Sequence, residues 1–289
     1  MTGTELPSFD LVVATVDRVD PLERLFDSLE RQTHRRFRVL LVDQNEDDRL
    51  VAVVAAHPAL GVVRLRSERG LSRARNRALG ELGSDVVAFP DDDCEYADDL
   101  LERVARRMAA ESSLDGLSGR SVGRDGSSSE SWERDAALLS ADNLWNRVNS
   151  GAIFVRRSLV ERVGTFDEHL GLGSGRPWSS GEEIDYLVRA VRTGARIAYD
   201  PELTVTHDER PLDSAELRAL GYRDGASVGY LLRKHRHPAR VLARMLLRPV
   251  GGAVLSLLRL DVLRARFHAA TLRGRIRGYF GASSSKSAA

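Results

Sequence analysis

The stretch DVVAFPDDD, Asp85 to Asp93, runs four apolar residues into a proline and then into three consecutive aspartates. A short apolar run bounded by turn residues reads as a buried strand. Pro90 ends it, because proline has no N–H for a further ladder bond. Three adjacent carboxylates repel one another, so water, a helix N-terminus or a metal ion must take up their charge.

Upstream, strand and helix patterns alternate. FDLVVAT (Phe9 to Thr15), FRVLLVD (Phe37 to Asp43) and GVVRLR (Gly61 to Arg66) read as strands, and Asp85 to Pro90 is the fourth. PLERLFDSLERQ (Pro21 to Gln32), the region Asp47 to Ala56 and LSRARNRALGEL (Leu71 to Leu82) have helical periodicity. This alternation predicts βαβ units on a mostly parallel sheet, in which ligands gather outside the carboxyl ends of the strands. Thr15, Asp17, Asp43 and Asp91 to Asp93 all lie at such ends. Downstream, SGRSVGRDGSSSESWERD (Ser118 to Asp135) reads as a strand and a mobile loop, and GAIFVRR (Gly151 to Arg157) as a strand. SSGEEIDYLVRAVRTG (Ser179 to Gly194) reads as a helix with acids in its first turn, ARIAYDPELTVTH (Ala195 to His207) as extended, and the chain beyond Pro211 as helical.

The 289 residues, 42% hydrophobic and 29% charged, fit a globular α/β domain with an appendage. One cysteine, Cys94, allows no internal disulfide, which points to a reducing cytosol, and it reads as packing filler. The first residues carry no signal-peptide pattern. No uninterrupted apolar run reaches the roughly 18 residues of a spanning helix; Pro249 to Leu258 is the longest late one. The net charge of +1 hides an asymmetry: from Leu231 onward 13 Lys and Arg face one acid, Asp261, whereas 30 basic and 41 acidic residues precede Leu231. Only Lys234 and Lys286 are lysines.

The aspartates have a plain alternative, a solvated turn capping a helix that starts near Tyr96. A buried strand directly before them and a second acid cluster at Glu182, Glu183 and Asp185 weigh against it. Hard cations such as Mg²⁺ or Mn²⁺ are held by one or two carboxylates together with substrate phosphates, and Asp-x-Asp at a strand end offers that.

The ordered series VVATVDR, VLLVDQN, RGLSRARNRAL, VVAFPDDDCEY, VGTFDEHLG, GEEIDYLVRA and VTH resembles glycosyltransferase family 2, inverting enzymes of the GT-A fold. The resemblance runs from about Phe9 to His207. It implies an α/β GT-A domain over 1–210, with a nucleotide-sugar half at about 9–123 and an acceptor half at about 148–210. A basic helical extension (211–280) and a disordered tail (281–289) would follow. It further implies that Thr15, Asp17 and Asp43 hold base and ribose, Arg75 the base or diphosphate, Asp91 and Asp93 an Mn²⁺ or Mg²⁺, and Asp92 ribose or metal. His207 would complete the metal site, and the general base would be Glu183, where the family usually has Asp, or its neighbour Glu182. Trp178 would stack on the acceptor sugar. Bland roles stay open for several of these: a turn for Asp43, a solvated helix face for Arg75, a helix cap or structural acid for Asp185, a structural role for His207 and packing for Trp178.

The implied activity is metal-dependent, inverting transfer from a nucleotide-sugar, UDP-linked by expectation, to a glycan or lipid-linked hydroxyl in cell-surface polysaccharide synthesis. A catalytically silent nucleotide-sugar binder is the alternative. A phosphotransferase using an Asp nucleophile fits poorly, since no lysine precedes Lys234. The segment from Arg233 to Phe280 mixes Leu and Val with Arg at helical spacing. It predicts two or three amphipathic helices that touch the inner face of the cell membrane, pack on the protein or form a dimer contact. No nucleic-acid motif is present.

Overall fold

The computed structural model describes residues 5–128, 131–207 and 212–281. They form two compact units, residues 5–166 with 186–207, and residues 167–185 with 212–281. The expected tail lies outside the described residues except for Gly281.

The first unit is a sheet with flanking helices. β1 (Phe9–Thr15) is followed by α1 (Asp20–Glu30), β2 (Phe37–Asp43), α2 (Val51–Ala56), β3 (Val63–Arg66), α3 (Leu71–Leu79) and β4 (Val86–Ala88). β5 (Cys94–Glu95), α4 (Leu100–Ala110), β6 (Gly116–Val122), β7 (Ala137–Leu138), β8 (Ile153–Arg156) and α5 (Arg157–Val163) complete the run up to residue 166. α6 (Glu182–Arg192) and β9 (Ile197–His207) follow. The sheet order is β3-β2-β1-β4-β8-β6-β9-β5, with β7 on β9. β3, β2, β1 and β4 are mutually parallel, while β8 runs antiparallel to both β4 and β6, so the sheet is parallel in its first half and mixed beyond.

β1 is buried on both faces because helices cover the parallel half from both sides. α1 shows why: Leu22, Leu25, Phe26 and Leu29 recur at helical spacing and are fully buried, with Pro21 in the first turn. Asp10 in β1 is the exception, and it organises the amino-terminal end of the sheet. It accepts from Arg38 Nε at 2.5 Å, from the Gly83 and Ser84 N–H at 2.7 and 2.9 Å, and from Ser84 Oγ at 2.9 Å. Burial alone would raise this carboxyl; those donors outweigh it and hold it below its ordinary value.

The second unit holds α7 (Ser214–Lys234), α8 (Ala239–Leu258) and α9 (Val262–Gly281). Asp213 and Glu216 form a reciprocal capping box at the start of α7. α7 and α9 meet through glycines. A Cβ on Gly225 would lie 2.3 Å from the Thr271 carbonyl oxygen, and one on Gly229 2.0 Å from that of Arg275. From the other side, a Cβ on Gly278 would lie 1.9 Å from the Ala226 carbonyl oxygen. Only glycine lets the two backbones approach so closely.

α8 differs from the expectation that no segment is long and apolar enough to span a bilayer. It is the one such helix among the described residues by length and composition, with a mean hydropathy of 1.6 over 18 residues. Arg244 and Arg248 interrupt the apolar run in sequence but not the helix.

Candidate functional site

In the first unit the carboxyl ends of β1 and β2 carry a polar rim. Thr15 and Asp43 are buried and paired in register. Asp43 accepts from Arg64 at 2.9 and 2.6 Å and from the Asn45 N–H and side chain at 2.9 and 2.8 Å. Asn45 in turn accepts from the Asp17 N–H at 2.7 Å. Asp17 has φ 58°, a left-handed conformation that aspartate tolerates better than most residues, and its carboxylate meets Arg69 at 2.8 Å and Arg49 at 3.3 Å. Beside this rim opens a cleft of ≈ 580 Å³ lined by residues 44–46 and 66–69.

The three aspartates lie where β4 stops. Asp91 still bridges to Ala14 of β1, so the chain stays on the sheet past Pro90. The helix expected near Tyr96 begins instead at Leu100, because Cys94 and Glu95 form β5 and pair with the end of β9. That pairing sets Cys94 opposite His207 and brings His207 Nε2 to 3.2 Å from Asp93 Oδ1. Arg18 binds Asp92 at 2.8 Å and also contacts Asp93. Burial pushes Asp92 up to about 6; the Thr15 hydroxyl and Arg18 pull it down, and Asp93 and Asp91 add to the rise. Burial acts on Asp93 too, but His207 and Arg18 outweigh it and hold that carboxyl low. Cys94 is fully buried and burial pushes its thiol well up, in keeping with a packing role.

Arg75, expected to meet the base or diphosphate, is turned into the protein. Its side chain is 2% exposed, lies over the rings of Phe89 and Phe166 at 5.8 and 5.5 Å, and reaches Asp91 at 3.3 Å. The register of α3 explains this: Ala74, Arg75 and Ala78 face inward, while Arg73 and Arg77 are exposed and meet Glu68 and Glu81. Asp91 also accepts from Ser150 Oγ at 2.6 Å, which turns it toward protein donors.

In the second unit Glu182 and Glu183 open α6, after Gly181 at φ 80°. Glu182 is buried and Glu183 half-buried. Asp185, fully buried, accepts from Lys234 Nζ at 2.5 Å and contacts His235 Nε2 at 2.8 Å; Lys234 also reaches Asp167 at 2.6 Å. Asp185 is thus tied to the end of α7, as a structural acid would be. Trp178 stacks on Tyr230 with centroids 4.7 Å apart and an interplanar angle of 10°, the geometry of a packing ring. Its indole N–H is buried and has no hydrogen-bond partner among the described residues.

Several participants escaped sequence reasoning: Arg18, Asn45, Arg64, Arg66 and Lys234. Arg18 directly follows Asp17 in VDR, and Lys234 is the one lysine outside the extreme C-terminus of an arginine-rich chain, so both left a faint signal.

No group of three or more His, Cys, Asp and Glu side chains gathers to hold a metal ion among the described residues. Asp93 and His207 are a two-donor set of oxygen and nitrogen. That fits a divalent cation which takes its other ligands from a diphosphate and water.

The profile of the family described as glycosyl transferase family 2 matches residues 10–166. The Mycobacterium tuberculosis protein named pre-mycofactocin glycosyltransferase is 26% identical over 264 residues, covering 85% of this chain and 51% of that protein. The chain therefore spans about half the length of that relative. Among solved structures, the mannosyltransferase PcManGT from Pyrobaculum calidifontis, in complex with GDP-Man and Mn²⁺, superposes with a TM-score of 0.68 at 17% identity, covering 96% of this chain and 88% of that one. S. aureus TarS 1-349 in complex with UDP-GlcNAc gives 0.61 at 16% identity, covering 95% and 92%. At such identities these likenesses speak for the GT-A fold. With more than half of its length matched by the profile and a sheet of this architecture, the chain belongs to glycosyl transferase family 2.

Proposed function

We propose that this chain transfers a sugar from a nucleotide-sugar, with inversion, to a hydroxyl of a glycan or lipid-linked acceptor in cell-surface polysaccharide synthesis. The observation that carries the reading is the strand-end cluster in which Asp93, His207 and Arg18 meet beside the Thr15–Asp43 rim. Base and ribose would lie along Asp17, Asn45 and the cleft beside them, with Asp43 acting from behind, since Arg64 and Asn45 already hold it in place. UDP is our expectation for the nucleotide. The Arg18 guanidinium sets a permanent positive charge where the diphosphate would lie. A divalent cation held by Asp93 and His207, manganese or magnesium, would neutralise the departing nucleoside diphosphate. Asp92 serves by anchoring Arg18, and Asp91 by anchoring Arg75 and Ser150 rather than the cation. Glu183, half-buried at the start of α6, takes the acceptor proton, and buried Glu182 is the second candidate.

The test is nucleoside diphosphate release from a panel of UDP- and GDP-sugars with manganese. Asp93→Asn should abolish release, and Glu183→Gln should retain donor affinity while losing kcat. A stronger effect of Glu182→Gln would move the base to Glu182.

The second reading is a silent nucleotide-sugar binder. It draws on Glu183 where the family has Asp, and on Arg18 neutralising two of the acids. Donor binding without release by the wild type would select it. We further propose a cytoplasmic enzyme that meets the inner face of the membrane through its basic C-terminal helices.

A further inference from the structure

The second unit concentrates its exposed apolar side chains in one stretch. Of the 15 large hydrophobic residues that are exposed among the described residues, nine fall between Leu247 and Leu263, in the second half of α8, the turn after it and the start of α9. Leu258 and Leu260 are the most exposed, at 77% and 88%. A monomer in water rarely keeps so contiguous an apolar stretch uncovered.

The turn is built on Leu260, whose φ is 58°. A branched, apolar residue in the left-handed region is strained, and glycine or asparagine would fit without that strain. Leu260 therefore combines an unfavourable backbone with an unfavourable exposure in water. The exposure is offset if its side chain has an apolar medium to enter, and that gain would also compensate the strained turn that presents it.

The surroundings name the medium. Arg248, Arg259, Arg264 and Arg266 rim the stretch and are exposed. The only acid there, Asp261, is spent accepting from the Arg264 N–H at 2.9 Å to start α9. Two copies of such a patch would oppose like charges, which disfavours a self-contact. Anionic headgroups complement the arginines, and acyl chains accept the leucines.

We propose that the α8–α9 turn is a wedge that enters the headgroup–acyl boundary of an anionic bilayer, with Leu258, Leu260 and Leu263 below the phosphates and the four arginines at their level. This deepens the proposed membrane contact by assigning its segment and lipid class.

The test is partition of the full chain to vesicles of phosphatidylcholine alone and of phosphatidylcholine with phosphatidylglycerol. Wild type should bind the anionic vesicles, lose most of that binding at high salt and bind neutral vesicles weakly. Leu260→Gly separates insertion from folding. It should keep or raise the melting temperature, since it relieves the turn, yet lower partition roughly tenfold, as expected for one lost leucine. Leu258→Asp with Leu260→Asp should abolish partition at an unchanged circular-dichroism spectrum. Equal partition of wild type and Leu260→Gly, or no vesicle binding by wild type, overturns the proposal. So does a wild-type dimer in solution that the double aspartate variant splits, which would make the occupant a second copy. Nucleoside diphosphate release, followed in parallel, keeps the two readings apart. Release without vesicle binding sinks the wedge alone, whereas vesicle binding without release sinks the transfer reading alone.

Discussion

The two units solve the packing problem in opposite ways. In the first, Leu22, Leu25, Phe26 and Leu29 of α1 join Leu11, Val13, Val39 and Leu41 of the sheet in one core, and the helices turn charge outward. In the second, the contact face of α7 is Gly221, Gly225 and Gly229, that of α9 is Gly274 and Gly278, and leucines of α8 and its turn face outward. Water drives the first arrangement, because burying branched side chains releases them from it. It drives the second less, where Leu231, Leu232, Val241 and Met245 are buried but the α7–α9 contact itself is made by glycines. Glycine-faced helices with apolar exteriors suit surroundings in which leucine is as comfortable outside as inside. The glycosyltransferase topology of the first unit therefore says little about how the second unit packs.

Substitutions at the packing faces should set the two units apart most clearly. Gly229→Ala places a methyl group 2.0 Å from a backbone oxygen, which cannot move like a side-chain tip. We expect a loss of about 3 kcal/mol or more in the second unit. Hydrogen exchange resolved by peptide would report it as lost protection across α7 and α9, with the first unit unaffected. Normal protection of α9 would mean that the glycines are incidental.

Leu25→Ala is the mirror experiment, with a methyl-bearing group removed instead of added. Leu25 is fully buried, so its loss leaves a cavity and should cost about 2–5 kcal/mol in the first unit, read by urea unfolding. An effect under 1 kcal/mol would show that α1 is not anchored as its apolar stripe implies.

Much of the first unit was legible because it obeys the ordinary rule. β1 and β2 match their apolar runs to the residue, and α1 and α3 agree within a few positions. Local pattern failed where partners are distant in sequence. β5 exists only because β9 supplies its ladder, so DDDCEY reads as a helix approach, and α5 shares only Arg157 with the strand expected before it and has no helix signal of its own in that reading. The same distance hid the meeting of Asp93 with His207 as geometry, although both residues were singled out. The burial of Arg75 is not legible either, because an arginine flanked by two exposed arginines does not announce that its own helix face is the buried one. The glycines of α7 recur every four residues, but spacing alone does not say what they touch.

The acid limb of stability should sharpen the contrast next. Asp10 is held below its ordinary carboxyl value in the folded state, so its contribution is complete above a pH of about 4 and fades as pH falls through the folded value. Asp10→Asn should therefore cost roughly 2 kcal/mol at neutral pH, where it loses the charged bond from Arg38, and nearly nothing at a pH near 2. Urea unfolding at the two pH values would show the gap closing. A constant gap would mean that the charge is irrelevant and that only the shape of the side chain matters at this end of the sheet.

The smallest effect tests whether the glycines of the second unit are interchangeable. Gly251 lies in α8 with nothing within 4 Å of where a Cβ would stand. Its neighbour in kind, Gly229, has a carbonyl oxygen there. Gly251→Ala should therefore stabilise α8 by about 0.5–1 kcal/mol through helix propensity alone, against the loss expected at Gly229. Opposite signs for one substitution at two helical glycines would separate close backbone approach from chain flexibility as the reason glycine is there. Should Gly251→Ala also destabilise, α8 must contact something that the isolated chain does not contain, and the outward leucines would then be an interface already claimed.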